Sequence, residues 1–407
     1  MNSLAQKATA ASSPLLVLFA FALPLSTSVT SILAILLILV WIAGDNLGEK
    51  LTDIFHNPLA IAVLVYLGLH AIGLLWSENL DWGTDLLLKQ WKLLLFPVFL
   101  TLVKKDQIKY YLAAFVTAIS IQAAKAYLVW LGIIALAPGS AFTTEGTSHV
   151  VYNPMLALAI YIILQNLLFG KNRSLSKTLK TLLFLFLFCN MFITAGRTGH
   201  VVFFVLLLIT LFQYFQTRSK KMLVVALLLL PLLITAIYQI SPTFRSRITT
   251  AISEVQNFRS GEITSMGCRL WFCTNTWQLL KENWLTGIGT GDFPLEYAKI
   301  NQVRSPAMPA TDNPHNQYLL VTALFGLSGL VSLLSIFICQ LVLAMKLKGS
   351  LAHLRLAFPI FFLVIMLSES YLQVYETGFL FSLFSSFLYR PFEEGQQLSA
   401  SLTANQV

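Results

Sequence analysis

About twelve apolar stretches, each near the length needed to cross a lipid bilayer, recur between Leu15 and Tyr389. Crossing the hydrocarbon core takes roughly 20 mostly apolar residues, because a spanning helix must satisfy its own backbone hydrogen bonds there. With 57% hydrophobic and only 11% charged residues, the chain is predicted to be an all-α polytopic membrane protein. Membrane lipids are therefore its expected surroundings, and no nucleic-acid partner is expected.

Every second connection between the predicted spans is rich in lysine and arginine. These spans are 14–25, 29–43, 58–76, 86–103, 108–136, 151–169, 178–195, 199–216, 221–240, 314–345, 355–372 and 374–390. Basic clusters fall around 104–109, 171–180, 218–221 and 346–355, and the positive-inside rule assigns such loops to the cytoplasm. Both termini are therefore predicted to be cytoplasmic.

One external connection, between predicted spans nine and ten, is much longer than the others. The predicted division is 1–240 for the first nine spans, 241–313 for this external segment, 314–390 for the last three spans and 391–407 for a cytoplasmic tail. Within the external segment, the spacing of apolar residues predicts helices over 244–258, 266–283 and 293–300. The segment is thus predicted to be folded.

A glycine-rich stretch, Leu285–Gly291, joins the last two of these helices. It resembles a phosphate-cradling loop, but the dinucleotide motif needs a strand before it, and here a helix is predicted instead. The stretch is therefore predicted to be a tight turn that packs the external segment against the membrane region.

Several cations are predicted on the external side of the bilayer, where positive charge is unusual. Arg197 lies between Gly196 and Gly199, which permit a tight turn. Its guanidinium suits bidentate binding of phosphate oxygens, although snorkelling to lipid headgroups is the alternative. Lys89, Lys92 and Lys125 fall inside predicted spans four and five, toward the external side. Because charge at membrane depth is costly and marks functional sites, these lysines are predicted to line a groove for an anionic substrate.

Several fragments of the external segment resemble the signature of a known family. The fragments are Cys268–Trp271, Leu279–Asn283, Leu285–Phe293, the histidine stretch Asn313–Asn316 and the arginine turn Gly196–Gly199. Together with twelve spans and one long external loop, they resemble the O-antigen ligase and polymerase superfamily, whose fold is GT-C-like. Trp284 departs from that pattern, because the family often has proline there.

The resemblance implies a site and a reaction. His315 would be the general base, while Arg197 and Arg269 would hold the pyrophosphate of an undecaprenyl-pyrophosphate-linked glycan, the donor. The acceptor would be lipid A–core at the periplasmic face of a bacterial inner membrane, and a single displacement would invert the anomeric centre. Asp312 would contribute to substrate binding and might orient the His315 ring. Neither a cofactor nor a metal is expected.

Other functions remain open at this point. An O-antigen polymerase and a protein O-oligosaccharyltransferase share the signature, although the former usually has two sizeable external loops and the latter a large external C-terminal region. A twelve-span transporter would be expected to show an internal repeat, which the sequence lacks. Glu369 and Glu376 flank the last turn between spans, where they bind an acceptor hydroxyl or are exposed loop carboxylates; the second interpretation is preferred.

Overall fold

The computed structural model describes residues 3–135, 148–170, 174–216, 218–258 and 262–392, and all regular elements in these ranges are helices. The helices are α1 Ser3–Ala22, α2 Thr27–Ala43, α3 Leu47–His56, α4 Pro58–Ile72, α5 Leu80–Lys89, α6 Leu95–Leu102, α7 Ile108–Trp130, α8 His149–Phe169, α9 Ser174–Ile193, α10 Arg197–Phe215, α11 Lys220–Ile240, α12 Pro242–Gln256, α13 Ser265–Asn283, α14 Phe293–Arg304, α15 Gln317–Lys346, α16 Ala352–Ile365 and α17 Tyr375–Leu388. The all-α prediction is confirmed, and the helices predicted in the external segment correspond to α12, α13 and α14.

Seven helical stretches of the described chain are long and apolar enough to cross a membrane. They are Pro58–Trp76, Lys105–Trp130, His149–Phe169, Ser174–Ile193, Arg197–Phe215, Lys220–Ile240 and Gln317–Lys346. An eighth crossing is formed if α2 and α3, which are bent by 115° at their junction, count as one broken span. The protein is thus a multi-pass membrane protein, while the count of twelve spans stays a prediction. Most of the predicted tail, from 393 onward, lies outside the described residues.

The fourth predicted span, 86–103, is not a continuous helix. A 3-10 turn at Gln90–Lys92 separates α5 from α6, with the amide of Leu93 bonded to the carbonyl of Gln90 at 2.9 Å. Gln90 and Lys92 are both buried here. A continuous α-helix was therefore the wrong expectation for this stretch, because the polar side chains are accommodated at a break.

The eleventh predicted span, 355–372, is also shorter than expected. Helix α16 ends at Ile365, and α17 begins only at Tyr375. Residues 366–374 between them, called here the α16–α17 connection, have irregular backbone. Their backbone and side-chain groups bond to several other elements instead of continuing the helix, and these bonds organise the site described below.

Helix α15 is kinked at Gly326, whose φ of 61° and ψ of −147° are not helical. The kink releases backbone groups that an intact helix would have paired internally. The Leu285–Gly291 turn bonds to them: the amides of Ile288 and Gly289 donate to the carbonyls of Ala323 and Leu324 at 3.0 and 2.9 Å. The tight turn predicted from the sequence is confirmed, and its backbone ties the external segment to the membrane region.

The turn is also bonded to α4 and the residues that follow it. Thr290 donates from its amide to the carbonyl of Gly73 and from its hydroxyl to the carbonyl of His70, at 3.1 and 2.8 Å. The Asp292 carboxylate accepts from the amides of Glu78 and Asn79. These contacts fix the position of the start of α14. They also fix α13, which precedes the turn and packs against α14.

Substituting alanine for Gly287 is expected to destabilise the protein. Gly287 has a φ of +70°, and an added Cβ would lie 2.3 Å from the carbonyl oxygen of Leu324. Strain and collision together are expected to cost at least about 2 kcal/mol of unfolding free energy. Gly68→Ala is the matched control, because nothing lies within 4 Å of a Cβ added there in α4. Thermal unfolding in detergent should show a clearly lower midpoint for Gly287→Ala alone; equal midpoints would contradict this account.

Candidate active site

The α16–α17 connection is the point at which four other parts of the chain meet. Its bonds join Gln317 N to the Met366 carbonyl, Asn316 Nδ2 to the Leu367 carbonyl, Thr198 Oγ1 to Ser368 Oγ, Tyr371 Oη to the Val150 carbonyl and Lys92 Nζ to the Gln373 carbonyl. The first residues of α8, α10 and α15 are thereby held side by side. His149 and Arg197 are the first residues of α8 and α10, and His315 lies two residues before α15. All three consequently lie close to the α16–α17 connection.

His315 lies two residues before α15 in a left-handed backbone conformation, with a φ of 51°. Its amide donates to Oδ1 of Asn313 at 2.9 Å, and its Nδ1 lies 2.5 Å from Oε2 of Glu369. The ring is stacked on Phe272 of α13, with the centroids 5.7 Å apart. Non-glycine residues adopt this conformation only where the surroundings impose it, and such positions cluster at functional sites. The histidine is therefore fixed in both backbone and ring.

Glu369 is buried, with 7% of its surface exposed. Oε1 accepts from Nδ2 of Asn313 at 2.8 Å and from the Ser370 amide at 2.9 Å. Burial alone would raise the pKa of this carboxyl, but the hydrogen bond and charge of His315 outweigh burial and leave the pKa below its usual value. Glu369 is thus an ionised partner of His315 at neutral pH. The preferred interpretation as an exposed loop carboxylate was wrong, because the chain folds back over it.

Arg197 is the first residue of α10, and the glycines beside it are explained by packing. Gly196 has an ordinary φ of −79°, so a tight turn does not require glycine at that position. A Cβ added to Gly196 or Gly199 would lie 2.6 or 2.2 Å from Cβ of Asn153 in α8. The glycines therefore let α8 and α10 approach closely, and this approach sets the position of Arg197.

A cluster of arginines surrounds the start of α8. Arg197 forms an ion pair with Glu254 of α12, with Nη1 and Oε2 3.0 Å apart. Arg247, also of α12, donates from Nε to the carbonyl of Ala195 at 2.9 Å. Burial lowers the pKa of the Arg247 guanidinium, and the charge of Arg197 lowers it further. Both arginines are thus held near the start of α10, Arg247 by the Ala195 carbonyl and Arg197 by Glu254.

Arg269 joins the arginine cluster to the histidine. It is half-buried on α13, and its charge acts both on His149, together with Arg197 and Arg247, and on Glu369. Arg269 is thus within electrostatic range of Glu369, the partner of His315, and of His149, on which Arg197 also acts. The catalytic roles that the resemblance implied for Arg197, Arg269 and His315 stay a prediction. Arg247, His149, Glu254 and Glu369 were not predicted to belong to this site.

The remaining predicted substrate-binding residues have different settings. Lys92 is fully buried; its Nζ donates to the Gln373 carbonyl at 2.6 Å and lies 4.1 Å from the centre of the Tyr375 ring. Lys89 is exposed and lines an open cavity of about 450 Å³ with Asp85, Leu88, Trp91 and Tyr375. Lys125 is half-buried on α7, and Asp312 is exposed. Asp312 was expected to orient the His315 ring, and the carboxylate that bonds to this ring is that of Glu369.

The site is rich in cations and poor in metal-ligand groups. No group of three or more His, Cys, Asp or Glu side chains within the described ranges could hold a metal ion. What the arrangement can do is bind a multiply charged anion at three guanidinium groups while a fixed imidazole accepts a proton beside it. These are the requirements of a transfer reaction whose leaving group is a phosphate or diphosphate.

The helices define a multi-pass membrane protein, and comparison with known families indicates the class of reaction. Residues 182–334 match the family model described as O-antigen ligase. This match supports the resemblance to the O-antigen ligase and polymerase superfamily that was drawn from the sequence. A comparison with curated proteins found no match. The matched region contains all three arginines and His315, and it supports a glycosyltransferase that acts on lipid-linked glycans.

Proposed function

We propose that this protein is an O-antigen ligase that transfers a glycan from undecaprenyl pyrophosphate to lipid A–core. The reaction takes place at the periplasmic face of a bacterial inner membrane, which the chain crosses about twelve times with both termini in the cytoplasm. The observation that carries the proposal is that Arg197, Arg247, Arg269 and His315, all within the region that matches the family, lie around one site in which Glu369 is bonded to His315.

The arginine cluster binds the diphosphate of the donor. Arg197 forms an ion pair with Glu254 through Nη1, but its Nε is buried without a hydrogen-bond partner in the described chain. A buried guanidinium donor without a partner is costly, and a phosphate oxygen would satisfy it. Nε of Arg197 is thus available as a donor to the leaving group.

His315 accepts the proton of the acceptor. As the sugar hydroxyl of lipid A–core attacks the anomeric carbon of the donor, a carbon–oxygen bond forms and the hydroxyl proton passes to the imidazole. The bond from the anomeric carbon to the pyrophosphate oxygen breaks, and its electron pair leaves on the pyrophosphate. The arginines stabilise the charge that develops there. A single displacement inverts the configuration at the anomeric carbon. The arginines supply the positive charge that a divalent cation would otherwise supply to the leaving group.

The lysines and Asp312 contribute more peripherally. Lys89 lines the open cavity and attracts the anionic donor toward the membrane side of the site. Lys92 acts through its bond to Gln373, which supports the α16–α17 connection. For Lys125 and Asp312 a role in substrate binding rests on the resemblance and the charge pattern alone.

The test is glycan transfer by the purified protein. We expect an undecaprenyl-pyrophosphate oligosaccharide and rough lipopolysaccharide to yield glycosylated lipid A–core, and the rate to be unchanged by EDTA. Loss of activity in EDTA that added Mg²⁺ restores would contradict the metal-independent mechanism.

The products distinguish the alternatives. Lengthened lipid-linked glycans with unmodified lipid A–core would make the protein an O-antigen polymerase, and glycan on an added protein acceptor would make it a protein O-oligosaccharyltransferase. Movement of a solute into proteoliposomes without any transfer would make it a transporter. Either family alternative keeps the arginines and His315 in the same roles, whereas transport does not.

A further inference from the structure

We propose that Glu369 is a positioning residue for transfer: it keeps a proton on Nδ1 of His315 and so leaves Nε2 free to accept the proton of the attacking hydroxyl. This inference rests on the proposed function, in which His315 is the base. The carboxylate comes from the α16–α17 connection, 54 residues along the chain from the histidine and beyond the region that matches the family.

The hydrogen bonds determine which nitrogen carries the proton. An ionised carboxylate only accepts hydrogen bonds, and Oε2 of Glu369 lies against Nδ1 of the ring. Nδ1 must therefore be the donor. Because neutral imidazole has a single N–H, Nε2 is then left with a lone pair that can act as a base.

Asn313 fixes both partners of the pair. Its Nδ2 donates to Oε1 of Glu369, while its Oδ1 accepts from the His315 amide and from Oγ of Ser370. A buried carboxylate is stable only when hydrogen-bonded, and both of its oxygens are occupied here. The carboxylate and the imidazole consequently have one mutual orientation, as a base needs when it must be aligned with a hydroxyl of a bound acceptor.

The surroundings of the pair favour an ionised glutamate. The charged and titratable groups that face Glu369 are His315, Arg269 from α13 and Tyr371 from its own connection. Arg269 adds positive charge and also belongs to the arginine cluster. The base and the anion-binding groups are therefore coupled through Arg269 and Glu369.

The first test is Glu369→Gln, with Glu282→Gln on the exposed face of α13 as the matched control. A glutamine amide can donate to Nδ1 and thereby stabilise the opposite tautomer. We expect kcat to fall by about 10²-fold, because replacing the partner that orients a histidine has effects of this size or larger. KM for both substrates should change little. Glu282→Gln should leave kcat unchanged.

A second readout does not depend on turnover. The chain has six histidines, so ¹⁵N-histidine labelling in bilayers gives six pairs of ring signals, and those of His315 are identified by their loss in His315→Gln. We expect a proton on Nδ1 in the wild type and a loss of that preference in Glu369→Gln, with Glu369→Asp, which keeps the charge, between the two.

The outcomes separate the two proposals. An unchanged His315 tautomer in folded Glu369→Gln, or transfer by this variant with the wild-type kcat, would overturn the role of Glu369. Absence of every glycan-transfer product from the wild-type protein would instead overturn the proposed function, and the catalytic role of Glu369 with it.

Discussion

Replacing His315 with alanine is expected to reduce glycan transfer by about 10⁴-fold or more, the largest effect of any single substitution in this protein. The reason is that the imidazole is the proposed base and its position is fixed on both sides, by Glu369 at Nδ1 and by Phe272 against the ring face. The variant also leaves Glu369 buried without its histidine partner, so its thermal unfolding must be measured alongside its activity.

The measurement is the initial rate of transfer at saturating donor and acceptor. His56→Ala, at an exposed position on α3, is the matched control and should transfer at the wild-type rate. His315→Gln removes the base but keeps a polar side chain in place, and it should be as inactive as His315→Ala. If either folded variant kept more than about a tenth of the wild-type rate, His315 would not be the base, given the usual contribution of general base catalysis.

Replacing Arg269 with alanine is expected to reduce kcat by about 10²- to 10³-fold, as is typical for the loss of one preorganised donor to developing negative charge. Arg269 acts on both the arginine cluster and Glu369, so its loss weakens the leaving-group site and the base together. Arg269→Lys should recover only part of the rate, because an ammonium group cannot form the bidentate bonds of a guanidinium.

The control for this series is Arg304→Lys, at an exposed position on α14 where Nη1 lies 3.3 Å from Oε1 of Gln278. It should leave both kcat and the apparent donor affinity unchanged. Arg197→Lys and Arg247→Lys should resemble Arg269→Lys if all three arginines bind the diphosphate. A wild-type rate in Arg269→Lys would show that simple positive charge suffices, and the bidentate contact would have to be abandoned.

Local pattern was enough to predict the helices of the external segment and the turn that follows them. The apolar spacing that leads to α13 is a property of neighbouring residues, and the glycines of Leu285–Gly291 predict a turn without knowledge of its partner. The arginine at Arg197 and the histidine at His315 were predicted for a different reason, since their short motifs resemble a family.

The contacts between distant segments could not be predicted in this way. Glu369 pairs with a residue 54 positions away, and Lys92 bonds to a carbonyl 281 positions away. No periodicity encodes such partners, so Glu369 was expected to be exposed and Lys92 to line a groove. Arg247 carried no signal either, because an arginine on an amphipathic external helix is usually solvated. The break between α5 and α6 was missed because its few polar residues interrupt an otherwise apolar run.

The α16–α17 connection has a consequence for how this chemistry can be divided among polypeptides. A chain shortened to the region that matches the family would keep all three arginines and His315. It would lack the Glu369 carboxylate, the carbonyls of the α16–α17 connection that hold the start of α15, and the Ser368 hydroxyl that bonds to α10. It would also lack Lys92, which lies far upstream. We therefore expect that the site can be transferred to another chain only together with the helices that the α16–α17 connection joins. The region that matches the family would by itself supply the arginines and His315 without the contacts that orient them.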